Sequence, residues 1–188
     1  MRRNVIIIAV VLLVMAGGYF VSTRFTTPTG GQMANAGQLN LPAEPELAYN
    51  FTLTALSGET ISLADLEGQW VLVNFWATWC HPCVKEMPYL QHLADEYEVV
   101  VLGVNFNESA ATVTKFVDDH DIAFPILMNP DDVTLTMYQA RALPRTFVIA
   151  PDGTIALQII GELVPETVDA WFEEHVPPQQ KTANLVGQ

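Results

Sequence analysis

The chain has 188 residues, half of them hydrophobic, so a single domain with a sizeable core is expected. Its formal net charge of −13 argues against a nucleic-acid-binding protein, because such proteins need clustered lysine and arginine to replace counterions. Only two cysteines are present, and neither an internal repeat nor a glycine-rich phosphate loop is visible.

An apolar segment stands at the start of the chain. Arg2 and Arg3 precede an uncharged run of 17 residues from Val5 to Val21. As a helix this run would span about 26 Å, the short end of what crosses a bilayer. Residues 1–21 are therefore predicted to be a membrane anchor, with a cleaved signal peptide as the alternative. The positive charge ahead of the run places the following domain outside the cytoplasm.

Two segments of low apolar content flank the predicted domain. Residues 22–46 are rich in Thr, Gly, Pro and Ala and are predicted to form a flexible linker. The tail, residues 177–188, is predicted to be disordered. The folded domain is therefore predicted to cover residues 47–176.

The first half of the domain combines strand patterns with one helix. The segments "YNFTLTAL" and "ETISL" flank Ser57-Gly58 and predict a short β-hairpin. The nearly continuous apolar runs "WVLVNFW" and "EVVVLGVNF" are typical of central strands that are buried on both faces. Between them, apolar residues recur at helical spacing from the cysteines to about Tyr97 and predict a helix.

The second half alternates helix and strand patterns. A helix in "SAATVTKFVDDH" is followed by a short strand in "FPILM" and a helix in "DDVTLTMYQ". The segment "RTFVIAPDGTIALQII" predicts a hairpin that turns at Pro151-Asp152-Gly153, and "PETVDAWFEEH" predicts a closing helix. This alternation predicts an α/β sheet with helices on both faces.

The two cysteines, Cys80 and Cys83, lie three positions apart in "NFWATWCHPC". A bridge between them would close a loop of about 4 residues and contribute roughly 2 kcal/mol, against ~4.7 kcal/mol for a 100-residue loop. A structural zinc site needs four ligands, and haem attachment needs a histidine where Val84 stands. Redox chemistry is the interpretation that remains.

The position of the pair suits that chemistry. Cys80 is predicted to lie at a strand-to-helix turn, where unpaired N–H groups and the helix dipole favour the thiolate. Cys83 would lie one turn into the helix, less exposed, and could attack the mixed disulfide that Cys80 forms. Pro82 removes one backbone donor and stiffens the turn between them.

Three motifs in order, "NFWATWCHPC", "VKEMP" and "LPRTFVIAPDG", resemble the thioredoxin superfamily over about residues 50–175. The resemblance is greatest to its membrane-anchored TlpA/ResA-like branch, which includes the cytochrome c maturation thioredoxins. It implies a thioredoxin fold with an N-terminal β-hairpin extension, an extra strand–helix insertion and a central mixed sheet. It further implies Cys80 as nucleophile, Cys83 as resolving cysteine, a cis Leu143–Pro144 bond, and no cofactor beyond the redox-active disulfide.

Two positions bear on proton transfer. Asn74 stands where thioredoxin carries a buried Asp, and an amide cannot take a proton. Glu86 occupies a position where the ResA-like branch carries a functional Glu, so the resemblance implies a base for Cys83. The alternative for Glu86 is an exposed residue on a helix flank.

Four neighbours are predicted to tune the pair or contact clients. A protonated His81 would favour the Cys80 thiolate, although a solvated histidine without effect is an equal alternative. Arg145 could select an acidic client segment or be an ordinary surface arginine. The backbone of Leu143 would pair with an extended client strand. Trp79 is predicted to pack near the disulfide.

The predicted function is thiol–disulfide exchange at the outer, periplasmic face of the cytoplasmic membrane. The resemblance favours reduction of protein disulfides, with apocytochrome c or a metallochaperone as clients and a transmembrane electron donor, while the residues leave the direction of electron flow open. Two alternatives remain. A peroxiredoxin-type thiol peroxidase is disfavoured by Trp79 and the C-x-x-C spacing. A copper chaperone would need a further His or Met near the pair.

Overall fold

The computed structural model describes residues 37–179. The predicted anchor, residues 1–21, lies outside this range, as do residues 22–36 of the predicted linker and residues 180–188 of the tail. Within the described range, no helix is both long enough and apolar enough to cross a membrane.

The described residues form eight strands, four α-helices and one 3-10 turn. The strands are β1 (Gln38–Asn40), β2 (Thr52–Ala55), β3 (Thr60–Ser62), β4 (Trp70–Trp76), β5 (Val99–Asn105), β6 (Ile126–Met128), β7 (Arg145–Ile149) and β8 (Ile155–Ile160). The helices are α1 (His81–Glu96), α2 (Ala110–Asp119), α3 (Asp132–Met137) and α4 (Pro165–His175), and the 3-10 turn is Leu63–Leu66.

All eight strands join one mixed sheet in the order β1-β8-β7-β4-β5-β6-β2-β3. The central strand β4 pairs parallel with β5 and antiparallel with β7, and β2 and β3 form the predicted N-terminal hairpin. Helix α2 and strand β6 are inserted between β5 and α3. The predicted thioredoxin fold, with its hairpin extension and its extra strand–helix insertion, is confirmed.

Strand β4 divides the core into two layers, because its side chains alternate between the faces of the sheet. Val71, Val73 and Phe75 face the layer that contains α3 and the N-terminal hairpin. Leu72 and Trp76 face the layer that contains α1, α2 and α4. Both faces are covered, which explains the continuous apolar run in the sequence.

The domain begins earlier than predicted. Part of the predicted linker, Gln38–Asn40, is strand β1, which pairs antiparallel with β8 at the sheet edge. All three side chains of β1 are exposed, so the strand is held by main-chain pairing and leaves no apolar pattern in the sequence. This is a correction to the 22–46 linker boundary.

The domain also ends later than predicted. Glu98 N donates to Pro177 O, and Gln179 N donates to Glu96 O. These bonds join the residues after α4 to the segment that precedes β5. The predicted disordered tail therefore does not begin at residue 177.

Candidate active site

The cysteines lie in the turn that joins β4 to α1. Cys80 is the N-cap of α1, with extended backbone angles, and Pro82 occupies the first helical turn. Cys80 N donates to Ala77 O, and Val84 N donates to Cys80 O at the first turn of the helix. The two sulfurs form a disulfide whose Cα atoms are 5.2 Å apart, so the structure describes the oxidised state.

The two cysteines differ in exposure. Cys80 is 6% exposed and Cys83 is 0% exposed. Cys80 is also the residue nearest the unpaired N–H groups of the helix start. This asymmetry supports the predicted roles, because a client disulfide has access to Cys80 while Cys83 reaches only a sulfur already bound to Cys80.

Glu86 lies on the buried face of α1, one turn beyond Cys83. It is 2% exposed, so the alternative of an exposed flank residue is wrong. Its Oε1 accepts from Asn74 Nδ2 at 2.7 Å, and its Oε2 accepts from Leu163 N at 3.0 Å. Both carboxyl oxygens are thus held by donors from separate parts of the fold.

Burial raises the pKa of Glu86 from 4.5 to about 7. The hydrogen bonds from Leu163 and Asn74 oppose this rise because they favour the charged form, while the nearby charge of Glu162 adds to it. A carboxyl that titrates near neutral pH can both accept and return a proton near that pH.

Asn74 provides the link between the central strand and this carboxyl. Its Nδ2 donates to Glu86 and also to Thr146 Oγ1 on β7, at 2.9 Å. Asn74 is fully buried, and its Oδ1 has no hydrogen-bond partner among residues 37–179. The sequence predicted only that this residue could not take a proton. Its contact with Glu86 was missed, since it joins residues on two different elements.

The Leu143–Pro144 peptide bond is cis, as predicted. Pro144 is buried directly before β7, and Leu143 is half-buried. Pro144 O accepts from Gly161 N at 3.1 Å. Gly161 directly follows β8 and has a φ of 92°. Glycine adopts this backbone angle readily because it has no Cβ.

Trp79 and His81 flank Cys80 on the surface. Trp79 is 66% exposed and makes an edge-to-face contact with Phe106, with ring centroids 6.4 Å apart. Trp79 thus lies on the surface next to Cys80, whereas Trp76 is fully buried. His81 is exposed.

The carboxylate of Glu108 binds the turn before Cys80, and the sequence did not predict this contact. Glu108 Oε2 accepts from Thr78 N at 2.7 Å, and Glu108 Oε1 accepts from Thr78 Oγ1 at 2.5 Å. Asn105 Nδ2, at the end of β5, donates to the same carboxylate at 2.8 Å. The turn is thus tied to the neighbouring strand. The close spacing of Asn105 and Glu108 was the only local signal for this arrangement.

Arg145 does not lie where the sequence placed it. It is 7% exposed, on β7, whose five residues are all buried, so the expected surface cation for client contact is corrected. One terminal nitrogen donates to Gln139 O and Gln139 Oε1, each at 3.3 Å. Within the described part of the chain, the other terminal nitrogen and Nε have no hydrogen-bond partner, and burial lowers the pKa of the guanidinium.

This sheet order, a C-x-x-C disulfide at the start of α1 and a cis-proline before β7 together define a thioredoxin-fold thiol–disulfide oxidoreductase. The sequence profile of the AhpC/TSA family matches residues 46–158. Over 180 residues the chain is 32% identical to the thiol-disulfide oxidoreductase ResA of Bacillus cereus, covering 94% of this chain and 100% of that one. The chain belongs to the AhpC/TSA family and to its ResA-like thiol–disulfide oxidoreductases.

Comparison with solved structures also identifies the thioredoxin fold. StoA from Bacillus subtilis superposes with a TM-score of 0.56 at 28% identity, covering 69% of this chain and 98% of that one. A thiol:disulfide interchange protein of the thioredoxin family from Chlorobium tepidum gives a TM-score of 0.61 at 25% identity, covering 71% and 97%.

Proposed function

We propose that this oxidoreductase reduces disulfides of exported proteins while tethered to the outer face of the cytoplasmic membrane by residues 1–21. Its clients are apocytochrome c or a metallochaperone, a transmembrane donor restores the dithiol, and no cofactor beyond the disulfide takes part. The observation that carries the proposal is the buried Glu86 carboxyl, one helical turn from Cys83, with a pKa of about 7.

The reaction begins with the Cys80 thiolate. It attacks one sulfur of a client disulfide, forms a mixed disulfide and releases the other client sulfur as a thiolate. Cys83 then passes its proton to the Glu86 carboxylate and attacks the Cys80 sulfur. The Cys80–Cys83 disulfide forms, and the second client sulfur leaves as a thiolate. Two electrons pass from the enzyme dithiol to the client disulfide.

Glu86 favours this reaction because Cys83 is fully buried and bulk solvent has no direct access to its sulfur. Burial alone would raise the pKa of a thiol and slow its attack. A neighbouring carboxylate with a near-neutral pKa supplies the missing acceptor, and it returns the proton when the membrane donor re-reduces the pair.

The surface residues around Cys80 are the ones that contact the client. Trp79 offers an exposed aromatic face beside the disulfide, and Leu143 lies half-buried beside the cis-proline. We assign these two residues to client contact. Arg145 is left out because its side chain is buried.

The redox state of the pair in cells tests the direction of electron flow. An alkylating reagent added to intact cells should find most of the protein as the dithiol, and the purified protein should have a reduction potential below that of its clients. A pair that is mostly oxidised in cells would contradict a reductase. Rapid oxidation by peroxide, or stoichiometric copper binding with loss of both thiols, would favour the alternatives.

The location is tested by labelling. A maleimide that does not cross the cytoplasmic membrane should label Cys80 in intact spheroplasts, and mass spectrometry of the native protein should find its first residue at Met1 or Arg2. Labelling only after lysis would contradict the proposed location, and a first residue near Gly17 or Gly37 would contradict the tether.

A further inference from the structure

Three of the four residues that connect β8 to α4, Gly161–Leu163, contact three parts of the fold, and we call these three residues the β8–α4 segment. Gly161 N donates to Pro144 O, and Leu163 N donates to Glu86 Oε2. Between these two donors, Glu162 O accepts from Gly37 N at 2.9 Å. The segment therefore joins the cis-proline and the buried carboxyl to the residue that precedes β1.

Gly37 fits this position because there is no room for a side chain. A Cβ on Gly37 would overlap with the carbonyl oxygen of Glu162 and would crowd the side chain of Ile159. The backbone of Gly37 lies directly against the β8–α4 segment, and strand β1 continues the contact by pairing Gln38 with Ile160. Residues 1–36 join the domain at this point.

We propose that Gly37 is a positioning residue for Glu86: its N–H fixes the β8–α4 segment, and that segment fixes the carboxyl beside Cys83. The inference rests on the proposed function of Glu86 as proton acceptor. It assigns a role in the redox step to the residue that directly precedes β1.

The charged and titratable groups around Glu86 are few. Cys83 and Lys85 lie on the same helix, and Glu162 faces Glu86 from the β8–α4 segment. Glu162 Oε2 is also 3.9 Å from Lys85 Nζ, and both side chains are partly exposed. From the sheet, the uncharged side chains of Asn74 on β4 and Thr146 on β7 lie on this side of Glu86. On α4, Asp169 accepts a hydrogen bond from the hydroxyl of Tyr89, which lies on α1.

The expected change has a definite sign. Leu163 N–H donates to the Glu86 carboxylate and lowers the pKa of the carboxyl. If Gly37 no longer fixes the segment, this bond weakens, and the pKa of Glu86 rises. Resolution of a Cys80 mixed disulfide should then reach half its maximal rate at a higher pH.

The first test uses Gly37→Ala in the full chain, with Gln38→Ala as the matched control. Gln38 is an exposed residue of β1, directly after Gly37, so truncation of its side chain leaves the Gly37 contact intact. Gly37→Ala should move the midpoint of the pH–rate profile upward by about half a pH unit or more. The control should not move it. An unchanged midpoint in folded Gly37→Ala would overturn the proposal.

The second test needs no variant of Gly37. In the oxidised full chain, the amide proton of Gly37 should titrate by NMR with the midpoint of Glu86, and Glu86→Gln should abolish that titration. A Gly37 signal that does not titrate, or one that still titrates in Glu86→Gln, would overturn the coupling.

The two tests separate this inference from the proposed function. If Glu86→Gln leaves the resolution rate unchanged, the role of Glu86 in proton transfer fails, while the NMR titration still decides whether Gly37 and Glu86 are coupled. If the titration fails but Glu86→Gln slows resolution, only the role of Gly37 is lost.

Discussion

Asn74 Nδ2 donates to Glu86 Oε1 at 2.7 Å, which ties the central strand β4 to helix α1 one turn beyond the resolving cysteine. Thioredoxin carries a titrating Asp where this chain has Asn74. In this protein the strand position provides a neutral donor, and the titrating group is the carboxyl on the helix. Of these two side chains, only Glu86 can therefore exchange a proton.

Asn74→Asp should restore a second carboxyl and change the titration. Two carboxyls at hydrogen-bond distance do not both ionise easily, so they share one proton and the later ionisation moves to higher pH. We expect the midpoint of the pH–rate profile for mixed-disulfide resolution to rise by about one pH unit or more. Thr146→Ser, which keeps the hydroxyl that Asn74 contacts, is the control. A midpoint equal to that of the wild type would mean that Asn74 and Glu86 do not interact in the reacting protein.

Glu86 should make the stability of the oxidised protein depend on pH. The folded pKa of about 7 lies above the ordinary value of 4.5, so the folded state binds the proton more tightly than the unfolded state. The resulting stabilisation is fully present below pH 4.5 and is lost as the pH rises through about 7. The free energy of unfolding should fall by about 3 kcal/mol from this group alone.

Urea unfolding of the wild type and Glu86→Gln isolates that contribution, because the other acidic residues are common to both. The difference between their unfolding free energies should change by about 3 kcal/mol between acid and alkaline pH, with the wild type losing stability as the pH rises. A difference that stays constant across this range would show that Glu86 keeps an ordinary pKa.

Arg145 should tolerate replacement by a neutral side chain of similar length. Its guanidinium is buried, two of its nitrogens lack partners, and among residues 37–179 no carboxylate lies within ion-pair distance of it. Arg145→Met should therefore leave the unfolding free energy unchanged or raise it by about 1–2 kcal/mol. Client reduction should stay within about twofold of the wild type, since methionine occupies the same buried volume.

Arg145→Ala is the companion variant, and it should destabilise the protein because it leaves a cavity beside β7. If a stable Arg145→Met protein instead lost most of its client reduction, this result would support a contact between the Arg145 guanidinium and the client.

The sequence predicted the parts of the fold that local patterns encode. The apolar run of β4, the helix after Cys80 and the motif around Pro144 each lie within a short stretch, and each is where the sequence placed it. Strand β1 was missed because its pairing with β8 joins residues far apart in the chain and uses main-chain atoms alone.

The site was predicted less completely than the fold. Glu86 was identified, but its burial was left open, although its spacing from Cys83 and Leu90 puts it on the same buried face of α1. Arg145 was misplaced because β7 is central, so neither face of that strand meets solvent and a charged residue there has no exposed side. The hydrogen bonds between Thr78 and Glu108 join two separate loops, and the close spacing of Asn105 and Glu108 gives no indication that Thr78 is the partner.

The central claim is that Glu86 takes the proton of Cys83 when the client is released. The direct measurement is the rate at which an isolated Cys80 mixed disulfide resolves between pH 6 and 9, in the wild type and in Glu86→Gln. The exposed Glu98→Gln serves as the matched control. We expect the wild-type rate to rise through a midpoint of about 7, the Glu86→Gln rate to be about 100-fold lower near neutral pH, and the control to follow the wild type. Equal rates for Glu86→Gln and the wild type across this range would contradict the account.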